Sequence, residues 1–200
     1  MNVRQMLDEE RGELVELLRS LTDEEWATPS LCTGWTVRDV VCHLQTDTLS
    51  VTDWLRLGVR NPSVDKANNA LVEQFRQLPT GVLVDRLART DGLGTKLLPG
   101  LVLADLFVHQ QDIRRPLGYS RKVPPERLVR VLGKPDPFAF PGRYLKGLRW
   151  EATDADWTKG SGPLVRGPGE ALALAMVGRT VALDELEGGG VPTLRVRCAA

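Results

Sequence analysis

The sequence predicts an α+β protein that is mainly α: a helical bundle over residues 1–138, then a small α/β C-terminal domain over residues 139–200. Three observations carry this expectation. Through roughly the first 130 positions, apolar residues recur at three- and four-residue spacing between stretches rich in Pro, Gly and Ser. From Lys134 the composition shifts to Pro, Gly, Phe and Trp, which places the boundary within residues 134–145. The chain has 200 residues, 42% hydrophobic and 26% charged, the balance of an ordinary folded domain rather than a disordered or fibrous chain.

The elements follow in order. Residues 6–21 carry apolar side chains at 6, 7, 14, 17, 18 and 21, which predicts a first helix. Thr22 caps a short turn toward Trp26, and the Pro, Ser and Gly of residues 27–35 make a loop. Thr36, with Asp39 three residues on, starts a second helix whose apolar residues Val37, Val40, Val41, Leu44, Val51 and Leu55 extend it to about Leu57. Weaker helices are expected over residues 64–78 and 80–89, before Gly92 and Gly94. Residues 101–115 form a stronger helix, closed by Pro116 because proline cannot continue the hydrogen-bond ladder. A short helix from Pro124 ends near Gly133. In the C-terminal part, strands are expected over residues 147–153 and 193–197, with a helix over residues 169–177.

Several function classes are excluded at once. Lys plus Arg equals Asp plus Glu at 26 each, with no dense basic stripe, so nucleic acid is not an expected partner. The longest apolar run, residues 171–177, is too short to span a membrane, and the N-terminal residues lack a signal-peptide core; a cytoplasmic protein is expected. Cys32, Cys42 and Cys198 form no CxxC pair and are read as reduced thiols. Gly188, Gly189 and Gly190 read as a turn rather than a phosphate loop, for want of a strand before and a helix after.

Only two histidines are present, so any imidazole chemistry falls to His43 and His109. Asp105 and His109 are four apart in a segment apolar nearly all round, and Asp112 lies one turn further along the same stripe. An ionised Asp buried there needs a cationic partner: a metal ion would satisfy Asp105 and His109 together, and one of the 20 arginines would satisfy Asp105 alone. If the second and fourth helices are neighbours, His43 joins Asp105 and His109 as two imidazoles and a carboxylate, the donor set of a zinc site with an open position. Asp39 and Asp47, each four residues from His43, are candidates to accept its second N–H. Arg114 and Arg115 could hold an acidic substrate or neutralise the helix C-terminus. Cys42 is read as a packed hydrophobe and Cys32 as an unreactive loop residue, with Trp26 and Trp35 flanking that loop.

The block W-A-T-P-S-L-C-T-G-W-T-V-R-D-V-V-C-H-L from Trp26 to Leu44, followed by D-L-F-V-H-Q-Q-D-I-R-R-P-L-G from Asp105 to Gly118, resembles the mycothiol-dependent maleylpyruvate isomerase family of the DinB-like superfamily. Trp150, Trp157, Glu170 and the Gly178-Arg179 pair look like that family's small C-terminal domain. The resemblance implies a four-helix bundle with a divalent metal, often zinc, held by His43, Asp105 and His109. Asp105 stands where the family's best-known members have Glu, one methylene longer. It further implies mycothiol as thiol and a small electrophile as substrate. The expected activity is metal-dependent isomerisation or thiol transfer; a non-catalytic ligand-binding protein and a thiol-independent metal-dependent hydrolase remain open alternatives.

Overall fold

Apolar spacing and capping residues decide most of the N-terminal architecture. A computed structural model describes residues 1–61 and 63–199, which divide into two compact units, Met1–Ser120 and Arg121–Ala200. In the first unit, α1 (Val3–Ser20) starts from Asn2, whose side chain accepts from two backbone N–H groups, and it buries Leu7, Leu14 and Leu18. A Thr22 capping box opens α2 (Asp23–Ala27), and a second one at Thr36 opens α3 (Val37–His43). After a break come α4 (Val51–Arg60), α5 (Val64–Phe75), α6 (Thr80–Leu87) and the short α7 (Leu93–Leu97). The stronger helix is α8 (Pro99–Arg114), which packs along α1 and against α3. It begins two residues earlier than expected because Pro99 sits at the first turn, where its missing N–H costs nothing.

The helix expected from Thr36 to Leu57 is interrupted. It passes at His43 into a 3-10 turn over Leu44–Thr48, and α4 restarts from its own cap, Ser50. The hydroxyls of Thr46 and Thr48 donate to the carbonyls of His43 and Gln45, offering the backbone the alternative to helix that such side chains supply. Asp47 is meanwhile drawn to Arg11 and Thr95, off the expected course.

The cap of α3 carries a pH dependence. Asp39 accepts from Thr36 N–H at 3.0 Å, from the Thr36 hydroxyl and from Arg76 Nε at 3.0 Å. Burial pushes its carboxyl up, but the Thr36 backbone bond and Arg76 outweigh that and hold it below the ordinary value. A carboxyl depressed in the folded state adds stability above the unfolded pKa, and loses it as pH falls through the folded one. Asp39→Asn is therefore expected to cost about 1–2 kcal/mol at neutral pH, with Arg76 half exposed and screened. Denaturant unfolding should show the gap to the parent narrowing below about pH 4; a gap independent of pH would remove this assignment.

The second unit contains α9 (Pro125–Gly133), α10 (Gly142–Leu145), β1 (Arg149–Ala152), β2 (Thr158–Gly160), β3 (Leu164–Gly167), α11 (Gly169–Met176) and α12 (Val191–Ala199). The sheet order is β2-β1-β3, with Trp150 opposite Lys159 in the antiparallel pair and opposite Val165 in the parallel pair. Trp150 and Val165 are fully buried in this layer, and α11 is buried almost all round. The units meet at residues 120 and 121, not at 138 and 139, because α9 packs on α11 and Arg121 Nε donates to Glu170 at 2.7 Å. Residues 193–197, expected as a strand, lie within α12, and a helix therefore does follow Gly188-Gly-Gly190.

Candidate metal centre

The two histidines arrive from separate helices. α3 ends on His43, and α8 carries Asp105 and His109 one turn apart on the same face. Asp105 Oδ1 lies 3.6 Å from His43 Nε2 and 3.3 Å from His109 Nε2. The imidazole centroids are 4.8 Å apart at an interplanar angle of 70°, and the Trp35 ring lies 5.4 Å from that of His43. One donor atom from each of His43, Asp105 and His109 falls within 4.8 Å of the others, close enough to surround one ion. Asp112, expected on the same stripe as Asp105 and His109, follows on that face, with its Oδ2 2.9 Å from His109 Nδ1.

The electrostatics of the trio are those of a site built around positive charge. Burial pushes the Asp105 carboxyl up, but the charge of His109 and hydrogen bonds to both histidines overcome this and hold it far below the ordinary carboxylate value. Burial pushes His109 down, yet Asp105, Asp112 and Cys32 together hold it well above the ordinary imidazole value. His43 Nδ1 is buried without a hydrogen-bond partner among the described residues. Two imidazoles and one carboxylate fit a divalent cation by donor chemistry. Both histidines therefore face the Asp105 carboxylate, in the place where the sequence reading set either a metal ion or an arginine.

Other sequence candidates lie elsewhere. Asp39 is committed to Thr36 and Arg76, and Asp47 to Arg11 and Thr95, so neither accepts from His43. Arg114 is buried toward α1, its Nε donating to Gln110 at 2.8 Å and its NH2 to the Glu13 carbonyl at 3.1 Å, which makes it a tie between helices rather than a substrate contact. Arg115 Nε donates to Gln111 at 3.0 Å. Cys42 is fully buried, and that burial pushes its thiol up to about 11, in keeping with a packed hydrophobe. Trp26 is buried, whereas Trp35 donates from Nε1 to Asn69 and walls the His43 side.

Cys32 lies in the loop where the sequence reading put it, but its contact with α8 was missed. Its thiol is buried, 3.1 Å from Asp112 Oδ2 and 3.7 Å from His109 Nδ1. The loop that brings it there is folded by its own residues. The Ser30 hydroxyl donates to the Trp35 carbonyl and accepts from Cys32 N–H; Gly34 takes a φ of +79°, a backbone conformation that disfavours side chains. Leu31 N–H then donates to the Asp112 carbonyl at 3.1 Å, fixing the loop to α8. The available signal was the cysteine inside the P-S-L-C-T-G-W run together with an Asp three residues after His109.

Comparison with known proteins bears on the fold and on the N-terminal segment. Residues 7–92 match a family model described as the mycothiol maleylpyruvate isomerase N-terminal domain. A crystal structure of the mycothiol-dependent maleylpyruvate isomerase superposes with a TM-score of 0.61 at 13% identity, covering 94% of this chain and 91% of that one. A histidine-to-alanine mutant of such an isomerase gives 0.58 at 15% identity, with the same coverage of both chains. No curated protein matches at a significant level. The family resemblance is thereby borne out over residues 7–92, which include the first of the two sequence blocks, and in the fold. Among the described residues no helix is long and apolar enough to cross a membrane.

Proposed function

We propose that this chain is a metal-dependent, mycothiol-using enzyme of the maleylpyruvate isomerase type, with His43, Asp105 and His109 as protein ligands of a divalent ion, zinc by analogy with the family. One observation carries the reading: the chain's only two histidines, far apart in sequence, meet over a single carboxylate. A divalent ion with such donors supplies an open position and stabilises a thiolate over a thiol of ordinary pKa about 8.5. The chain's own side chains do the rest. The histidines supply neutral donors, and Asp105 supplies the charge that offsets the cation. The Trp35 ring flanks His43. Asp105 is the most accessible of the three, with 29% of its side chain exposed against 10% and 12% for the histidines, so thiol and substrate approach from its side. A thiolate held there would add to an activated cis double bond, moving its charge onto the conjugated carbonyl and leaving a rotatable single bond; expulsion of the same thiolate would restore the double bond.

Protein purified without chelators is expected to carry about one divalent ion per chain. It should convert maleylpyruvate, or related cis-configured electrophiles, only when mycothiol is added. Turnover indifferent to thiol would turn the reading toward a metal-dependent hydrolase, and tight electrophile binding without turnover toward a non-catalytic binding protein.

A further inference from the structure

The Nδ1 side of His109 is as deliberately built as its Nε2 side. Asp112 is fully buried on α8, a placement that needs hydrogen-bond donors to be tolerated. It finds them in His109 Nδ1–H at 2.9 Å and the Cys32 thiol at 3.1 Å, both on Oδ2. Its backbone carbonyl accepts from Leu31, so the loop bearing Cys32 and Trp35 is anchored at the same residue. A carboxylate on one imidazole nitrogen leaves the opposite nitrogen's lone pair free for a metal and fixes the ring plane.

We propose that Asp112, seated by Cys32, is a positioning residue that holds His109 with Nε2 toward Asp105 and His43, and so sets the metal affinity of the centre. The proposal rests on the metal-centre reading above. Cys32, His109 and Asp112 also bring three donor atoms within 4.8 Å of one another, which could suggest a second cation site. Two facts favour positioning. The 2.9 Å separation of His109 Nδ1 and Asp112 is that of a hydrogen bond, and an ion there would require both nitrogens of one imidazole to coordinate.

The test uses the full chain and zinc alone, with affinity read by chelator competition and folding by thermal unfolding. Asp112→Asn, nearly isosteric, and Asp112→Ala are each expected to weaken zinc about 10–100-fold while one ion still binds at saturation. Cys32→Ser, which keeps a donor, should stay closer to the parent than Cys32→Ala. A purely structural role would lower the melting temperature and leave zinc affinity of the folded protein unchanged. An NMR measurement is independent of metal: with two imidazoles to assign, the His109 Nδ1–H should give a slowly exchanging downfield proton that Asp112→Ala abolishes. Zinc affinity in Asp112→Asn within twofold of the parent overturns the proposal, as do two zinc ions per chain with one lost in Cys32→Ala. A parent that takes up no zinc but keeps the downfield proton overturns the metal-centre reading, and supports Asp112's hold on the ring.

Discussion

His43→Ala is expected to abolish stoichiometric metal binding and leave the bundle folded. Four-ligand zinc sites are worth about 10–16 kcal/mol, so one ligand of such a set accounts for about 2.5–4 kcal/mol, or roughly 10²–10³-fold in affinity. His43 is the cleanest ligand to remove. It sits at the end of α3, its Nδ1 bonds nothing among the described residues, and its loss leaves the Asp105–His109–Asp112 string intact. His109→Ala should lose metal equally but fold less well, because Asp105 and the fully buried Asp112 would both be left facing an empty space. Elemental analysis of parent, His43→Ala and His109→Ala, each with a melting curve, separates the two effects. Full metal content in His43→Ala would sink the ligand assignment.

How much of this was legible in the sequence depends on the range of the interactions involved. Asp105 and His109 could be paired from their spacing alone, because the i, i+4 relation is a property of one helix. Their meeting with His43 needed only that α3 and α8 be neighbours. Cys32 and Asp112 were not paired, since no local rule connects a loop residue to a helix 80 positions later. The same limit explains the broken helix after His43: residues 36–57 keep a helical apolar period, and it is a buried tertiary pull on Asp47 that diverts the chain. In residues 193–197, Leu194 and Val196 alternate as a strand would, yet the helix buries Val191 and Leu194 and leaves Val196 72% exposed. Period two and period three compete in so short a stretch, and packing of Leu194 decides it.

The pull on Asp47 is itself expected to be the largest single contribution to stability outside the apolar core. Arg11 NH2 donates to Asp47 at 2.9 Å and to the Thr95 hydroxyl at 2.6 Å, while Arg11 NH1 donates to the Leu87 carbonyl at 2.9 Å. Thr95 closes the ring by donating to Asp47 from both its backbone N–H and its hydroxyl. Gly92 and Gly94 are what let the chain approach so closely, since a Cβ at either would stand within 2.7 Å of Asp47 atoms. Arg11 and Asp47 expose only 3% and 6% of their side chains, so removing one partner strands a buried charge in a way that a surface pair would not. Asp47→Ala is therefore expected to cost about 3–5 kcal/mol, lowering the melting temperature by roughly 6–20 °C. Replacing both partners, Arg11→Met with Asp47→Leu, should recover much of that loss, because no charge is then left without a counterpart. Asp47 also sets the turn that leaves His43 at the end of α3, so the double variant should regain stability without fully regaining metal affinity. Equal recovery of both would mean that the turn is held by its threonines alone, and that the ion pair contributes stability and no placement of His43.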